Sequence, residues 1–457
     1  MRNIPCVFLM LIILCSACRK DERVTTDANA KLTLSKDSIL FDTIFTSIGS
    51  TVRKVKLLNK NNDALKISEI KLSGGTTSAF SININGENTS GKTGIILNGK
   101  DSLNVFVKVT INPSANNNPF LVQDSIIITA NGNRQSIQLL AYGQNAVFIN
   151  NGVINTNTNW TKNLPYIING AVSVKMGANL SIQPGTKVYF HKDATMNVEG
   201  TLNANGTFDE PIEFCSDRKE ALYSDEPGQW KGIYFKQTGT GIIKNATIKN
   251  ASVGITSDSL STNASPKLII SNSTIKNMQV AAYIGYHSEL LAFNNLIYNC
   301  GNYLIYGVGG GNYNLKQNTF AGYNPDFPRK TAALTFSDYL SAKAYNKLTL
   351  ELTNNIISGS LTNELDIQKK TSASVQNNLT ANLIKTSSSN YNTANIINID
   401  PLFVSVANEN FTLSNNSSAI KKGADLSNDT YFNNYLNKDL KNKTRFFPSS
   451  LGCYENY

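Results

Sequence analysis

The side chains best suited to hold a ligand sit in one tyrosine-rich stretch. Tyr283, Tyr286 and His287 fall within Tyr-Ile-Gly-Tyr-His, and Tyr303, Tyr306, Tyr313 and Tyr323 follow at short intervals. A tyrosine pairs a flat apolar ring with a hydroxyl, so a sugar can lie on the ring while its own hydroxyls find a partner. A histidine in such company is a candidate general base, because its charge changes near neutral pH. Tyr283 stands eight residues after Ile275 and Tyr306 nine after Ile297, a spacing that expects the two rings on neighbouring turns of a repeat. Tyr283, Tyr286, His287 and Tyr306 are therefore the candidate ligand-contacting set, and a packed ladder of rings explains the same spacing.

Other constellations are weaker. Asp209, Glu210, Glu213, Asp217, Glu220, Asp225 and Glu226 could hold calcium, but Arg218 and Lys219 interrupt them and no fixed ligand spacing appears. No metal or other cofactor is expected beyond that calcium. His191 and His287 are the only histidines, too few for a histidine-based metal centre. Gly86 to Thr93 matches GxxxxGK[ST] to the letter, yet a short strand and turn follow where phosphate binding needs a helix N-terminus. Neither nucleotide nor, without a basic cluster interleaved with aromatics, nucleic acid is an expected partner. Cys215, Cys300 and Cys453 are too scattered for a disulfide framework and read as buried singles. Trp160 and Trp230 read as packing residues, and Gly307-Val-Gly-Gly-Gly311 as a flexible turn.

These residues need a scaffold, and the chain offers two. Residues 31–145 alternate apolar and polar residues in short runs such as KLTLSKDSILF, STVRKVKLLNK and DSLNVFVKVTI, separated by turn residues. The layout resembles the immunoglobulin-like β-sandwich modules of bacterial surface proteins. From residue 146 the phrases ANLSIQPGTKVYF, MNVEGTLNANGTFDEPIEF and QWKGIYF closely resemble the opening of right-handed parallel β-helix proteins, a pectate-lyase-like solenoid. Later coils align on Asn245-Ala-Thr-Ile, Asn272-Ser-Thr-Ile, Asn294-Asn-Leu-Ile, Gln317-Asn-Thr-Phe, Asn354-Asn-Ile-Ile and Gln376-Asn-Asn-Leu. A period in the low twenties marks a solenoid, whose stacked amides can bond in a ladder along one corner. The expected fold class is all-β, with the β-helix over residues 146–399. Residues 400–457, with Asp400-Pro-Leu-Phe, Asp439 and Arg445, resemble the closing segment of exported β-helix proteins and are expected to cap the open end.

The N-terminus bears on where this scaffold works. Residues 1–17, MRNIPCVFLMLIILCSA, combine one charge at Arg2 with an apolar run too short to span a bilayer, the pattern of a signal peptide. Leu14-Cys-Ser-Ala-Cys18 resembles the lipobox of bacterial lipoproteins, which implies cleavage before Cys18, lipid on that cysteine and a tether over residues 18–30. The following Arg19-Lys-Asp-Glu22 resembles an export signal of Gram-negative surface lipoproteins, so the outer membrane and the cell surface are the expected location, with a periplasm-facing anchor as the alternative. The membrane, through the lipid, and a polysaccharide or surface protein are the expected partners. The net charge of +10 suits an acidic polysaccharide as well as plain solubility. Three function classes follow: a noncatalytic glycan- or partner-binding β-helix, a polysaccharide lyase or glycoside hydrolase on the same scaffold, and a structural adhesin. The chemistry-bearing residues favour the first, since fold alone does not establish catalysis.

Overall fold

The computed structural model describes residues 23–115, 117–324, 328–341, 344–370 and 374–456. The chain divides into two compact units that meet between Asn145 and Ala146.

The first unit is built from two sheets. One holds Val24–Thr25, Ala64–Leu72, Phe120–Ala130, Asn133–Gln144 and Ser38–Phe45 in that order, with Gly91–Leu97 also on Ala64–Leu72; the other holds Thr33–Leu34, Arg53–Leu58, Ser102–Val109, Phe80–Ile84 and Glu87–Thr89. Period-two alternation sends Val55, Leu57, Ile82, Ile84, Val105 and Val107 from one sheet, and Ile67, Ile126, Ile128, Ile137 and Leu139 from the other, into one shared core. The segment matching the phosphate-loop pattern turns at Gly86 and then runs as strand, crossing from the second sheet in Glu87–Thr89 to the first in Gly91–Leu97.

The second unit is a parallel β-helix with 25 strands in one continuous ladder. Each coil lays strands on three faces. Face one stacks Lys187–Phe190, Ile212–Ser216, Ala246–Lys249, Thr274–Met278, Leu296–Cys300, Thr319–Gly322, Ile356–Gly359 and Leu383–Ile384. Face two stacks Thr195–Val198, Gly232–Phe235, Val253–Asp258, the first halves of Ala281–Phe293 and Tyr303–Lys316, then Leu334–Ser337 and Leu365–Gln368. Face three stacks Thr201–Asn205, Thr240–Lys244, Leu268–Ser271, the second halves of the two long strands, Leu348–Thr353 and Val375–Thr380. Alternate residues of every strand meet inside, so Phe190, Phe214, Phe235, Ile248, Ile275 and Phe320 belong to one core that runs through the stack.

The corner from face three to face one follows a two-residue rule. Its first residue has positive φ in Asn245 (47°), Asn272 (49°), Asn294 (54°), Gln317 (58°) and Asn354 (58°), a left-handed conformation that asparagine tolerates better than most residues. The second residue turns inward, and there the amides meet. Asn295 Nδ2 donates to Asn318 Oδ1 (3.0 Å), Asn318 to Asn355 (3.0 Å), Asn355 to Asn382 (2.9 Å) and Asn382 to Asn395 (2.9 Å). Each Oδ1 also accepts the backbone N–H of the residue at the same place in the preceding rung, as Asn355 does from Asn318 (2.9 Å) and Asn295 from Ser273 (3.0 Å), and each Nδ2 also reaches a carbonyl, as Asn355 does to Leu315 (2.8 Å). The ladder thus belongs to the second amide of the repeated phrase, while the first serves the bend. The final alignment also shifts: Gln376 lies inside the strand Val375–Thr380, and the true corner is Ala381-Asn382-Leu383-Ile384. Ala381 takes the left-handed position (φ 54°), so the composition that marked the earlier corners is missing where the corner occurs.

Residues 400–456 reach the last coils, where Leu413, Ala419 and Leu451 pack with Leu383 and Ile396. They run along the outside of faces one and three. Leu426, Leu436 and the rings of Tyr431 and Tyr435 cover Ile269, Leu291 and Phe293; Phe411 and Cys453 cover Leu296, Tyr298 and Ala321; Leu413, Ala419 and Leu451 cover Ile356 and Leu383. The outer surface of those rungs is apolar and needs cover from water, which is why the segment lies on the flank. It is pinned by a fully buried ion pair between Arg445 and Glu455, and Arg445 also donates to Asn294 Oδ1 (2.8 Å). At the end of the coil stack it is Tyr391 that packs against the core, beside Ile367, Val375, Leu379 and Ile397.

Replacing Asn355 by alanine removes the acceptor of the Asn318 N–H, one bond of the Asn318 amide and the side-chain donors to the Leu315 carbonyl and Asn382, and is expected to lower unfolding free energy by about 3 kcal/mol. Asn395→Ala, at the ladder's end, is expected to cost about 1 kcal/mol. Denaturant titration of both variants checks the order; equal losses would remove the ladder's claim to be a cooperative element.

Candidate functional site

The outward side of face two forms two columns. Strand register aligns Asn197, Tyr234, Thr256, Ile284, Tyr306, Thr335 and Asp366 in one, and Asp258, Tyr286 and Val308 in the next. Their inward neighbours Ile233, Phe235, Ile255 and Ile305 are core residues, so parity turns the columns outward, where Ile284, Val308 and Thr335 are themselves covered. None of the apolar clusters beneath the flank segment includes a face-two residue.

Aromatic rings dominate this surface. Tyr303 stacks on Tyr306 with centroids 4.4 Å apart and planes 10° from parallel. Tyr286 is 41% exposed. The Tyr234 hydroxyl donates to Asp258, while Lys236 Nζ lies 3.5 Å from the centre of the Tyr234 ring. Tyr339 donates to Gln368 Oε1 (2.9 Å). Beside the Tyr303 ring a depression of about 410 Å³ opens, lined by Lys330, Thr331, Thr335, Asp366 and Gln368 among others. Burial pushes the Tyr234 phenol up to about 12, with the neighbouring Asp258 carboxylate adding to the effect, so it is a neutral donor at physiological pH. Flat rings flanked by carboxylate, amide, hydroxyl and ammonium groups make a surface that can seat sugar rings and bond their hydroxyls.

The four candidate residues separate. Tyr286 and Tyr306 lie on this surface as expected. Tyr283 does not: it is fully buried and faces the core. It stands three residues before Tyr286, an odd step that reverses its side of the strand, and its register partner is Ile305, one residue short of Tyr306. It has no access to a ligand. His287 sits at the bend from face two to face three with φ 47°, and its Nδ1 lies 3.0 Å from the Gly309 carbonyl. The glycine run opposite is not a loose turn, for Tyr303–Lys316 passes through it as one strand. Gly311 has φ 122°, and a Cβ there would lie 2.1 Å from Ser288 O. Tyr313 points inward with Tyr283, and Tyr323 packs under the flank segment. Tyr234, Asp258, Tyr339 and Asp366 escaped the reading of the sequence. For Tyr234 a signal existed, since it is the outward residue of the phrase Gly-Ile-Tyr-Phe.

The acidic group disperses. Glu210 pairs with Lys162, Asp217 with His191 (2.7 Å), Glu220 with Arg218 (3.1 Å), and Asp225 accepts from Asn277 (2.9 Å). Burial raises the Asp217 carboxyl, an effect that His191 opposes. Among the described residues no three His, Cys, Asp or Glu side chains are grouped to hold a metal ion. Trp160 stacks on Tyr166 and Trp230 on Phe190, both buried in the core as expected of packing residues. Cys215, Cys300 and Cys453 are buried and unpaired.

No family model and no curated protein matches the chain. Solved structures give partial likenesses. A PapD-like domain of human CEP192 is 12% identical, with 25% of this chain and 85% of that one covered and a TM-score of 0.17. The YadV chaperone is 16% identical over 24% of this chain and 51% of its own, with a TM-score of 0.17. A family 123 glycoside hydrolase from Clostridium perfringens is 9% identical over 27% of this chain and 26% of its own, with a TM-score of 0.19. Scores this low leave the fold resting on the strand pairing described above.

Behind the tyrosine surface, Lys267 is fully buried and its Nζ donates to the carbonyls of Lys236 (2.6 Å) and Gln237 (2.7 Å), bracing the turn that follows Tyr234. Burial depresses this amine to about 8 from the usual 10.5. Because the folded value lies below the unfolded one, the folded state binds fewer protons between those limits, and stability rises with pH there. Relative to Lys267→Met, the wild type is expected to gain stability from pH 7.5 to pH 10, read as the difference between the two melting curves at each pH; a flat difference would contradict the depressed value.

Proposed function

We propose that this protein is a lipid-anchored component of the bacterial cell envelope whose β-helix binds a glycan without turning it over, with the N-terminal sandwich as a spacer. The tyrosine surface of face two supports the reading: Tyr234, Tyr286, Tyr303 and Tyr306 share one side of the solenoid, clear of the flank segment, with Asp258, Asp366 and Gln368 among them. Rings of this type carry much of the affinity at binding surfaces, and removing one or two costs tenfold or more. The double variant Tyr286→Ala, Tyr306→Ala is expected to weaken binding to a responsive polysaccharide about tenfold or more with little change in melting temperature. Affinity electrophoresis against neutral and acidic polysaccharides measures it, with product release followed in the same mixtures. Sustained turnover would replace this reading with the lyase or hydrolase one.

The anchor is a separate part of the proposal and rests on the sequence, since Cys18 lies outside the described residues. The lipobox-like Leu14-Cys-Ser-Ala-Cys18, after a short apolar run, supports export and diacylation of Cys18, and Arg19-Lys-Asp-Glu22 supports surface display at the outer membrane. Labelling cells with a radioactive fatty acid should mark the wild type and leave Cys18→Ala unmarked; equal labelling removes the anchor.

A further inference from the structure

The bend residues at the corner from face three to face one point their amides outward, and most of them grip the flank segment. Asn354 binds Ala424 through both ends of its amide, its Nδ2 donating to the carbonyl (2.9 Å) and its Oδ1 accepting from the N–H (2.8 Å). Gln317 donates to Ser449 Oγ (2.8 Å), and Asn294 donates to the carbonyls of Tyr435 and Lys438. The column continues to Asn272 and Asn245, but there the flank segment stands away from the coils. The space left is a cavity of about 600 Å³.

This cavity is lined by Asn205, Asn245 and Asn272 from the coils and by Asn434, Asn437 and Asn442 from the flank segment. Of the six amides, only that of Asn245 makes a side-chain hydrogen bond among the described residues, donating to Gly206 O (3.0 Å). Lys244 and Lys438 also line it, with Phe208 and Tyr435 as aromatic walls and Asp209 as the one carboxylate. Lys244 Nζ donates to Asn434 O (3.1 Å) and lies 5.4 Å from the Tyr435 ring centre; Lys438 makes no ion pair among the described residues.

We infer that this cavity is a binding site, separate from the tyrosine surface, for an acidic saccharide of two or three units. Amides both donate and accept, so a group of unengaged amides matches a sugar's array of hydroxyls, which do the same. Two ammonium groups against one carboxylate leave the cavity positive, and Lys438 is placed to meet a sugar carboxylate. The volume falls within the range of about 300–1,000 Å³ that suits small ligands.

The test uses the whole folded chain and isothermal titration with trisaccharides of galacturonate, glucuronate and mannuronate, each beside its carboxyl-reduced neutral counterpart. At least one acidic trisaccharide is expected to bind saturably and about tenfold more tightly than its neutral form. Lys438→Met and Asn272→Gly, the latter chosen because glycine keeps the left-handed bend, are each expected to weaken it about tenfold with an unchanged melting temperature. Tyr286→Ala is expected to leave it unaltered, which separates this site from the tyrosine surface. Absence of saturable binding by all three acids, equal binding of neutral forms, indifference to both cavity variants, sensitivity to Tyr286→Ala alone, or tighter binding of an acidic asparagine-rich peptide would each overturn the inference.

Discussion

Asn295, Asn318, Asn355, Asn382 and Asn395 stand one above another inside the solenoid, and the other features follow from the register they keep. A buried amide without partners is costly, so each rung must place its asparagine about 4.8 Å from the next and in the same orientation. That requirement fixes the phase of the strands leaving the corner in the coils that the ladder spans, from Asn295 to Asn395. A slip of one residue would turn inward and outward side chains over, burying the tyrosines of face two and exposing the core. In those coils the outward columns of face two are therefore set by a polar interaction on the far side of the coil.

Much of this was legible in the sequence. Phrases such as Asn294-Asn-Leu-Ile297 showed where coils repeat, and the alternation in Lys187–Phe190 and Thr195–Val198 showed which residues meet inside. The candidate site was legible in part. Tyr286 and Tyr306 reached the surface, but Tyr283 was placed by counting from the previous corner, which is blind to parity. Counting across a left-handed residue such as Asn277 (φ 56°) gives distance along the chain without giving a side. The column that unites Tyr234 with Tyr306 spans residues 72 apart in sequence and exists only through register.

Insertions account for much of the rest. The long step between Phe320 and Ile357 contains Arg329 and Asp338, both buried. Arg329 and Glu364 form an ion pair with both side chains shielded from water, and Glu364 also accepts the N–H groups of Ala333 and Leu361 (3.0 and 2.9 Å). A buried pair is weak evidence for net stability but strong evidence for a defined conformation, since removing one partner strands the other. No periodic pattern could announce it, because the pair joins two adjacent coils at one level of the stack and is not repeated at the others.

A solenoid whose coils touch only their neighbours resembles a row of weakly linked units, able to fray from either end. The flank segment changes that. Glu409 meets Lys276 and Tyr298, Ala424 meets Asn354, Asp429 meets Lys316, and Asn434 meets Lys244, so one short stretch of chain ties coils from widely separated levels. Loss of a middle coil would break a tie and loosen the segment that holds the others, which turns a graded array toward all-or-none behaviour. The tie is also synthesised after every coil that it binds. The coils can form from the N-terminal side, yet they resist fraying and proteolysis only after the flank segment has emerged and laid itself back along the stack.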